Sequence, residues 1–150
     1  AAHEGCTEAV KTLLDNLTPE QQLQLLSVRN NDGDTALQSA ALRGQTKTGK
    51  TLLDRLTPDQ QLQLLSLQNK NYSETALHYA ARERRAETVQ VLLDNLTPEQ
   101  QLQLLAVQNK EGNTASQEAV GYLGISGTIT ALEQFQIEAD YRVNYRLFAV

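Results

Sequence analysis

The octet Gly44-Gln45-Thr46-Lys47-Thr48-Gly49-Lys50-Thr51 fits G-x-x-x-x-G-K-[ST], the pattern in which backbone amides, a lysine and a hydroxyl converge on a nucleoside triphosphate and its magnesium. That chemistry needs a strand running into the loop and a helix leaving it, so that the phosphates rest on a helix N-terminus. Here the preceding stretch, Thr35 to Arg43, is rich in alanine and reads as a helix, and Thr51-Leu52-Leu53 belongs to another. A lysine-bearing turn entering a weakly packed helix is the preferred reading of the octet, with phosphate binding at Gly44–Thr51 as its rival. His78 has Gln38 and Gln117 at the corresponding positions elsewhere in the chain, an exchange that a shared catalytic role would not tolerate. His3 and Cys6 are three apart and can meet on one helical face, but no third group orients them as an activated thiol requires. Asp15, Asp54 and Asp94 recur without converging, and no Cys or His set has metal-ligand spacing. The sequence therefore predicts no catalytic residue, no cofactor and no metal.

The bulk properties narrow the remaining classes. The 150 residues, 40 % apolar and 21 % charged, suit a soluble chain with a sizeable core. A net charge of −5 and a pI near 5.0 disfavour nucleic acid and anionic membrane surfaces, both of which call for surplus Lys and Arg. The single cysteine cannot close an internal disulfide, which fits a reducing compartment. No apolar run approaches the roughly 18 to 20 residues that cross a bilayer, and the N-terminus has no charged-then-apolar signal pattern. An intracellular, cytoplasmic protein is expected.

The elements that position these residues repeat. Leu13-Leu14-Asp15-Asn16-Leu17-Thr18-Pro19-Glu20-Gln21-Gln22-Leu23-Gln24-Leu25-Leu26 returns letter for letter at 92–105 and with two changes at 52–65. Leu17, Leu56 and Leu96 give periods of 39 and 40 residues, in the range of a solenoid. A second element keeps step: Asp34-Thr35-Ala36-Leu37, Glu74-Thr75-Ala76-Leu77 and Asn113-Thr114-Ala115-Ser116. The extra residue of the longer period falls within Asn69 to Glu74, so it is expected in a loop, where insertion costs little.

Each unit predicts three short helices. The first opens at a threonine N-cap, Thr35 or Thr75, and runs through Ala-Leu-x-x-Ala-Ala, whose small side chains permit close helix approach. The second carries Leu52 and Leu53, or Val89, Leu92 and Leu93, on one stripe. In the third, Thr18, Thr57 and Thr97 are N-caps, followed by Pro19, Pro58 and Pro98 and then by Gln21, Gln60 and Gln100 to complete capping boxes. Glu20, Asp59 and Glu99 place an acid at the positive end of each helix dipole. Leu23 with Leu26, and Leu25 with Val28, are expected to pack inward.

Residues 32–44, ending Thr35-Ala36-Leu37-Gln38-Ser39-Ala40-Ala41-Leu42-Arg43-Gly44 and followed by Leu52-Leu53, resemble the ankyrin repeat, as do Thr75 to Ala81 with Val89 and Leu92-Leu93. The resemblance covers nearly the whole chain and implies an all-α repeat solenoid of helix-turn-helix units joined by protruding finger loops. It also implies that the imidazole of His78 hydrogen-bonds neighbouring loop backbone. The family's repeat is about 33 residues, and the six or seven extra per unit are assigned to the third helix. Arg84 stands where Gly5 and Gly44 stand in other units, and a side chain in that left-handed turn costs about 1 kcal/mol. The Gln-Gln-Leu-Gln insert is similar to ankyrin arrays of intracellular bacteria delivered into host cells, which would place the protein in a host cytosol.

The expected organisation is a partial unit over 1–28, full units over about 29–67 and 68–107, and a degenerate unit over 108–150. Ala1-Ala2-His3-Glu4-Gly5 aligns with Ala40 to Gly44, so the chain is expected to start within a first helix, as a segment of a longer protein would. From Phe135 to Ala149 apolar and polar residues alternate as in a strand, whereas the repeat register predicts a degenerate third helix, with Tyr141 and Val143 in the places of Leu62 and Leu64. The helix is preferred, since a lone strand would leave its backbone unpaired.

What remains for function is surface. Solenoids of this kind bind partners on an extended concave face, which the resemblance assigns to the finger loops and the exposed side of the first helices. By register, the variable positions there are Arg29, Asn31, Asp32, Asp34, Leu42 and Arg43 in one unit, and Asn71, Tyr72, Glu74, Arg82 and Glu83 in the next. Lys110, Glu111, Asn113 and Tyr122 follow in the third. Tyr72, Tyr79 and Tyr122, with the arginines, are of the types enriched at binding hot spots. The sequence predicts a monomeric, non-catalytic module whose partner is another protein, neither nucleic acid nor membrane. Its rivals are nucleotide binding at the octet and a structural spacer or self-association domain of a larger enzyme or effector.

Overall fold

The structure is a computed structural model, which describes the backbone of residues 2–120 and 127–148 and the side chains of residues 7–119 and 131–144. Among these residues there are ten α-helices and no strand. They are α1 (Ala2–Asp15), α2 (Pro19–Leu26), α3 (Ala36–Leu42), α4 (Thr46–Leu53), α5 (Pro58–Leu65), α6 (Ala76–Arg82), α7 (Ala86–Leu93), α8 (Pro98–Leu105), α9 (Ala115–Val120) and α10 (Gly127–Phe148). Helices of like rank stack: α3, α6 and α9 in one column, α1, α4 and α7 in a second, α2, α5 and α8 in a third, with α10 against α7, α8 and α9.

Local signals make these helices. Thr18, Thr57 and Thr97 each accept from the amide of the glutamine three residues on at 3.3 Å, and each glutamine side chain accepts the threonine amide at 2.9 to 3.1 Å. The proline after each cap costs no hydrogen bond there, since the first helical amide has no partner in any case. The second glutamine of each pair has a role that the repeat pattern alone did not reveal. Gln22 donates to the carbonyls of Leu14 and Leu17, and Gln61 to those of Leu53 and Leu56. Gln101 donates to Leu93 at 3.0 Å. These carbonyls end the second helix or follow it, where no intrahelical amide is left to meet them, so each third helix is latched onto the helix before it.

The core runs along the stack. Leu37, Leu52, Leu53, Leu64, Leu65, Leu77, Leu92, Leu93 and Leu104 are each at most 3 % exposed, and Ala40, Ala41, Ala80 and Ala81 let α3 and α6 approach their neighbours. Leu25 and Val28, expected inward, are 49 % and 64 % exposed. Their counterparts Leu64 and Leu67 pack into the core because α5 has α2 beside it, whereas nothing among the described residues covers the same row of α2.

Two elements differ from the register. α1 passes Gly5 unbroken, although Gly44 turns there at φ +65° and Arg84 at φ +57°. At the far end, α10 is one helix of 22 residues, in place of a short third helix. Gln136-Ile137-Glu138 lacks the Thr-Pro cap that starts a new helix elsewhere, and the buried or half-buried set Leu132, Phe135, Ala139 and Val143 has helical spacing. Ile137 and Tyr141, which complete the strand-like alternation, are 65 % and 66 % exposed.

Candidate functional site

Three finger loops precede α3, α6 and α9, and each is built on one asparagine. Asn30 Oδ1 accepts the amides of Asp32 and Asp34, Asn69 those of Tyr72 and Glu74, and Asn109 those of Glu111 and Asn113, all at 3.0 to 3.2 Å. The backbone amide of each asparagine donates back across its loop, to Asp34, Glu74 and Asn113, at 2.8 Å. The turn takes a left-handed residue: Gly33 at φ +82°, Ser73 at +55° and Gly112 at +83°. The extra residue of the middle unit sits in this loop as expected. Sequence reasoning passed over the asparagines, although their recurrence four residues after each Leu-Leu pair was a visible signal.

The fingers are joined sideways. The Lys110 amide donates to the Tyr72 carbonyl at 2.9 Å, and Asn71 Nδ2 donates to the Asp32 carbonyl at 3.0 Å. Gln68 Nε2 bridges the carbonyls of Ser73 and Gln108. Below them, Gln38 Nε2 donates to the Leu67 and Glu74 carbonyls at 2.8 and 2.9 Å. His78 holds the matching place: Nδ1 accepts from Thr75, and Nε2 donates to the Asn113 carbonyl at 3.0 Å. Burial lowers the His78 pKa, and the two bonds define a neutral ring with its proton on Nε2.

A buried polar network underlies this face. Tyr79 donates its hydroxyl to Asp34 Oδ1 at 2.9 Å and accepts from Asn69 Nδ2 at 2.8 Å. Arg82 pairs with Glu74 Oε1 at 2.6 Å and lies over the Tyr79 ring at 5.1 Å. Burial, then the bond to Asp34, pushes the Tyr79 phenol up, and burial pushes Glu74 up against the pull of Arg82.

These contacts sort the residues predicted to meet a partner. Asn31, Asp32, Arg43, Asn71, Tyr72, Glu83, Lys110 and Glu111 are exposed. Arg29 is half-buried and donates to the Gly33 carbonyl, Leu42 packs partly on the core, and Arg82 and Asn113 are half-buried. Asp34 and Glu74, expected on the exposed side, are 9 % and 3 % exposed because the network above draws them inward, and Glu74 borders a cleft beside Tyr72 and Lys110. Tyr79 is likewise inside, at 4 %. Tyr122 lies outside the described residues.

The Gly44 to Thr51 octet does not form a phosphate loop. Thr46 to Thr51 lie within α4, and α3 rather than a strand precedes them. Lys50 pairs with Asp54 at 3.0 Å, and Gly49 faces Leu37 in the core. Among the described residues, no group of three or more His, Cys, Asp or Glu is placed to hold a metal ion, and no helix is long and apolar enough to cross a membrane. An apolar groove of about 420 Å³ between Val10, Leu13, Leu25, Val28 and Leu52 lies at the α1–α2 end of the stack, away from the second and third fingers.

The stacked columns, capped fingers and bridging Gln38 and His78 define an all-α repeat solenoid. The family profile for ankyrin repeats in many copies matches residues 1–53, and that for the single ankyrin repeat matches residues 72–98. The chain belongs to the ankyrin-repeat family, whose members generally mediate protein–protein interaction. No curated protein matches it. Among solved structures it is similar to a chain in the crystal structure of the yeast ribosomal protein Rps3 in complex with its chaperone Yar1. That likeness has 22 % identity and a TM-score of 0.62 over 91 % of this chain and 86 % of the other, and bears on fold.

Proposed function

We propose that this protein is a non-catalytic, intracellular module that binds another protein through its finger loops and the adjoining side of its first helices. The observation that carries the reading is Tyr72, a residue 61 % exposed at the tip of a loop pinned by Asn69 and by the neighbouring fingers. A rigid loop that presents an aromatic ring loses little entropy on binding, which is the character of a hot spot. Variation supports it too. Third helices are nearly identical between units and have structural tasks, whereas finger and first-helix positions differ: Asp32, Asn71 and Glu111 match in register, as do Ser39, Tyr79 and Glu118.

Affinity capture with the wild type, an Asn31→Ala/Tyr72→Ala/Lys110→Ala variant and a Gln24→Ala/Gln63→Ala control on the third helices tests this. The finger variant is expected to lose the partner while keeping the wild-type circular dichroism, and the control to retain it. A folded finger variant that keeps every partner counts against the proposal.

A further inference from the structure

The chain closes the network beneath its fingers between the first and second units but not between the second and third. Tyr79, four residues after the N-cap Thr75, donates to the acid Asp34 of the preceding finger at 2.9 Å. One unit on, the finger acid is Glu74, and the residue four after Thr114 is Glu118. A carboxylate has no proton to give at neutral pH, so the donor that Tyr79 supplies has no counterpart there. Glu74 Oε1 is held by Arg82, but Oε2 is buried with no hydrogen-bond partner. Glu118 Oε1 is turned to its own finger, accepting from Asn109 and Asn113 at 2.8 and 2.9 Å. Both carboxylates line a cleft of about 210 Å³ that also has Tyr72 and Lys110 among its walls. Gln22 Oε1 is also buried without a partner, but it is an uncharged amide oxygen, whereas Glu74 Oε2 belongs to a carboxyl group with a second carboxylate nearby, a persistent penalty.

We propose that this cleft receives an arginine side chain of the bound protein, whose guanidinium lies between the two carboxylates and supplies the donor that Glu74 Oε2 lacks. The inference rests on the partner-binding reading above and names what that partner presents. The cleft is smaller than the roughly 300 to 1,000 Å³ of small-molecule pockets, a size suited to one side-chain head. A guanidinium offers five donors in a planar fork and stacks on an aromatic face such as the exposed Tyr72 ring, whereas an ammonium is a point charge without that plane. Glu74 Oε2 has no solvent contact, so an incoming guanidinium requires Arg82, which holds Oε1 at 2.6 Å and reaches Glu83 at 3.6 Å, to shift toward Glu83. The net charge of −5 favours approach of a basic segment.

The test is a titration of isotope-labelled protein, followed by NMR, with acetyl-Gly-Arg-Gly-amide and with the same peptide carrying citrulline, which keeps the shape and removes the charge. The arginine peptide is expected to give saturable shifts at the amides of Glu74, Lys110 and Glu118, with the citrulline peptide at least about tenfold weaker. Glu118→Tyr, which offers Glu74 the hydroxyl that Asp34 already has, is expected to raise Tm and abolish the arginine response. Should that variant fail to fold, Glu118→Gln decides, with loss of the preference for arginine expected. Equal responses to both peptides, no saturable shift, or undiminished arginine binding in the folded Glu118 variants overturns the proposal. If capture still depends on Asn31, Tyr72 and Lys110 while the arginine peptide does not bind, the partner-binding reading stands and the arginine cleft falls. If the peptide binds while capture is indifferent to those residues, the cleft stands as an arginine site and the finger reading falls.

Discussion

Gln61 and His78 are single residues on which neighbouring elements depend. Replacing Gln61 by leucine keeps most of the volume but removes the donor shared by the Leu53 and Leu56 carbonyls. The Leu53 carbonyl keeps the Leu56 amide at 3.0 Å, but the Leu56 carbonyl is left unpaired, which is expected to cost about 1 to 3 kcal/mol, measured as a lower urea midpoint with unchanged slope. A variant as stable as the wild type would mean that water reaches those carbonyls. For His78, burial lowers the pKa from its usual 6.5, and the folded ring is held neutral. The unfolded chain takes up a proton there below about pH 6.5 while the folded chain resists, so His78 stabilises the fold above that pH and the contribution is lost as pH falls toward the folded value. Glu74 has the opposite sign: its folded pKa is raised from 4.5, so its contribution is present below that value and lost as pH rises through the folded one. Urea unfolding at about pH 7.5 and about pH 5.5 is therefore expected to show a smaller loss of stability on acidification in His78→Gln than in the wild type. Gln38 fills the same place in the preceding unit, so the substitution suits the site. An identical loss in both proteins would exclude His78 as its source.

At the scale of the element, the helices and their ends were legible because the signals are local. A threonine cap with glutamine three residues on satisfies backbone amides within one turn, and all three third helices begin as those residues predict. Helix α4 is the weak member of the second column, since Gly49 occupies the place of Val89. A Cβ there would meet only Leu37 Cδ1 at 3.8 Å, an ordinary contact. Gly49→Ala is expected to stabilise the protein by about 1 kcal/mol, since glycine inside a helix costs about that much relative to alanine. Calorimetry would register a Tm rise of about 2 to 4 °C, and a fall would mean that α4 needs the flexibility. Less legible were α1 and α10. Whether a helix continues past Gly5, or through Gln136, depends on which neighbours remain to reward a break, and no local residue states that.

Across the whole molecule, stability is a sum over neighbouring units, and the two ends of each column differ in cover. Leu13 is 66 % exposed, whereas Leu52 and Leu92, its counterparts in α4 and α7, are 3 % and 1 %. Hydrogen exchange is therefore expected to be fastest in α1 and α2 and slowest in α5, α6 and α7, as local opening there costs least where the fewest apolar contacts are lost. Uniform protection from α1 to α8 would contradict this and indicate one cooperative unit. The sequence by itself determined the period, the helices, their caps, the loop that takes the extra residue and the all-α class, because each rests on interactions within a few residues or on exact recurrence. Only the tertiary structure decided which polar residues of the finger side are exposed and which are drawn into the network beneath it. Asp34 is drawn in by Tyr79, 45 positions on, and Glu74 is buried opposite Glu118, which has no hydroxyl to offer. Burial and hydrogen-bond satisfaction at those sites are properties of the neighbouring unit, so the units' own residues could not announce them.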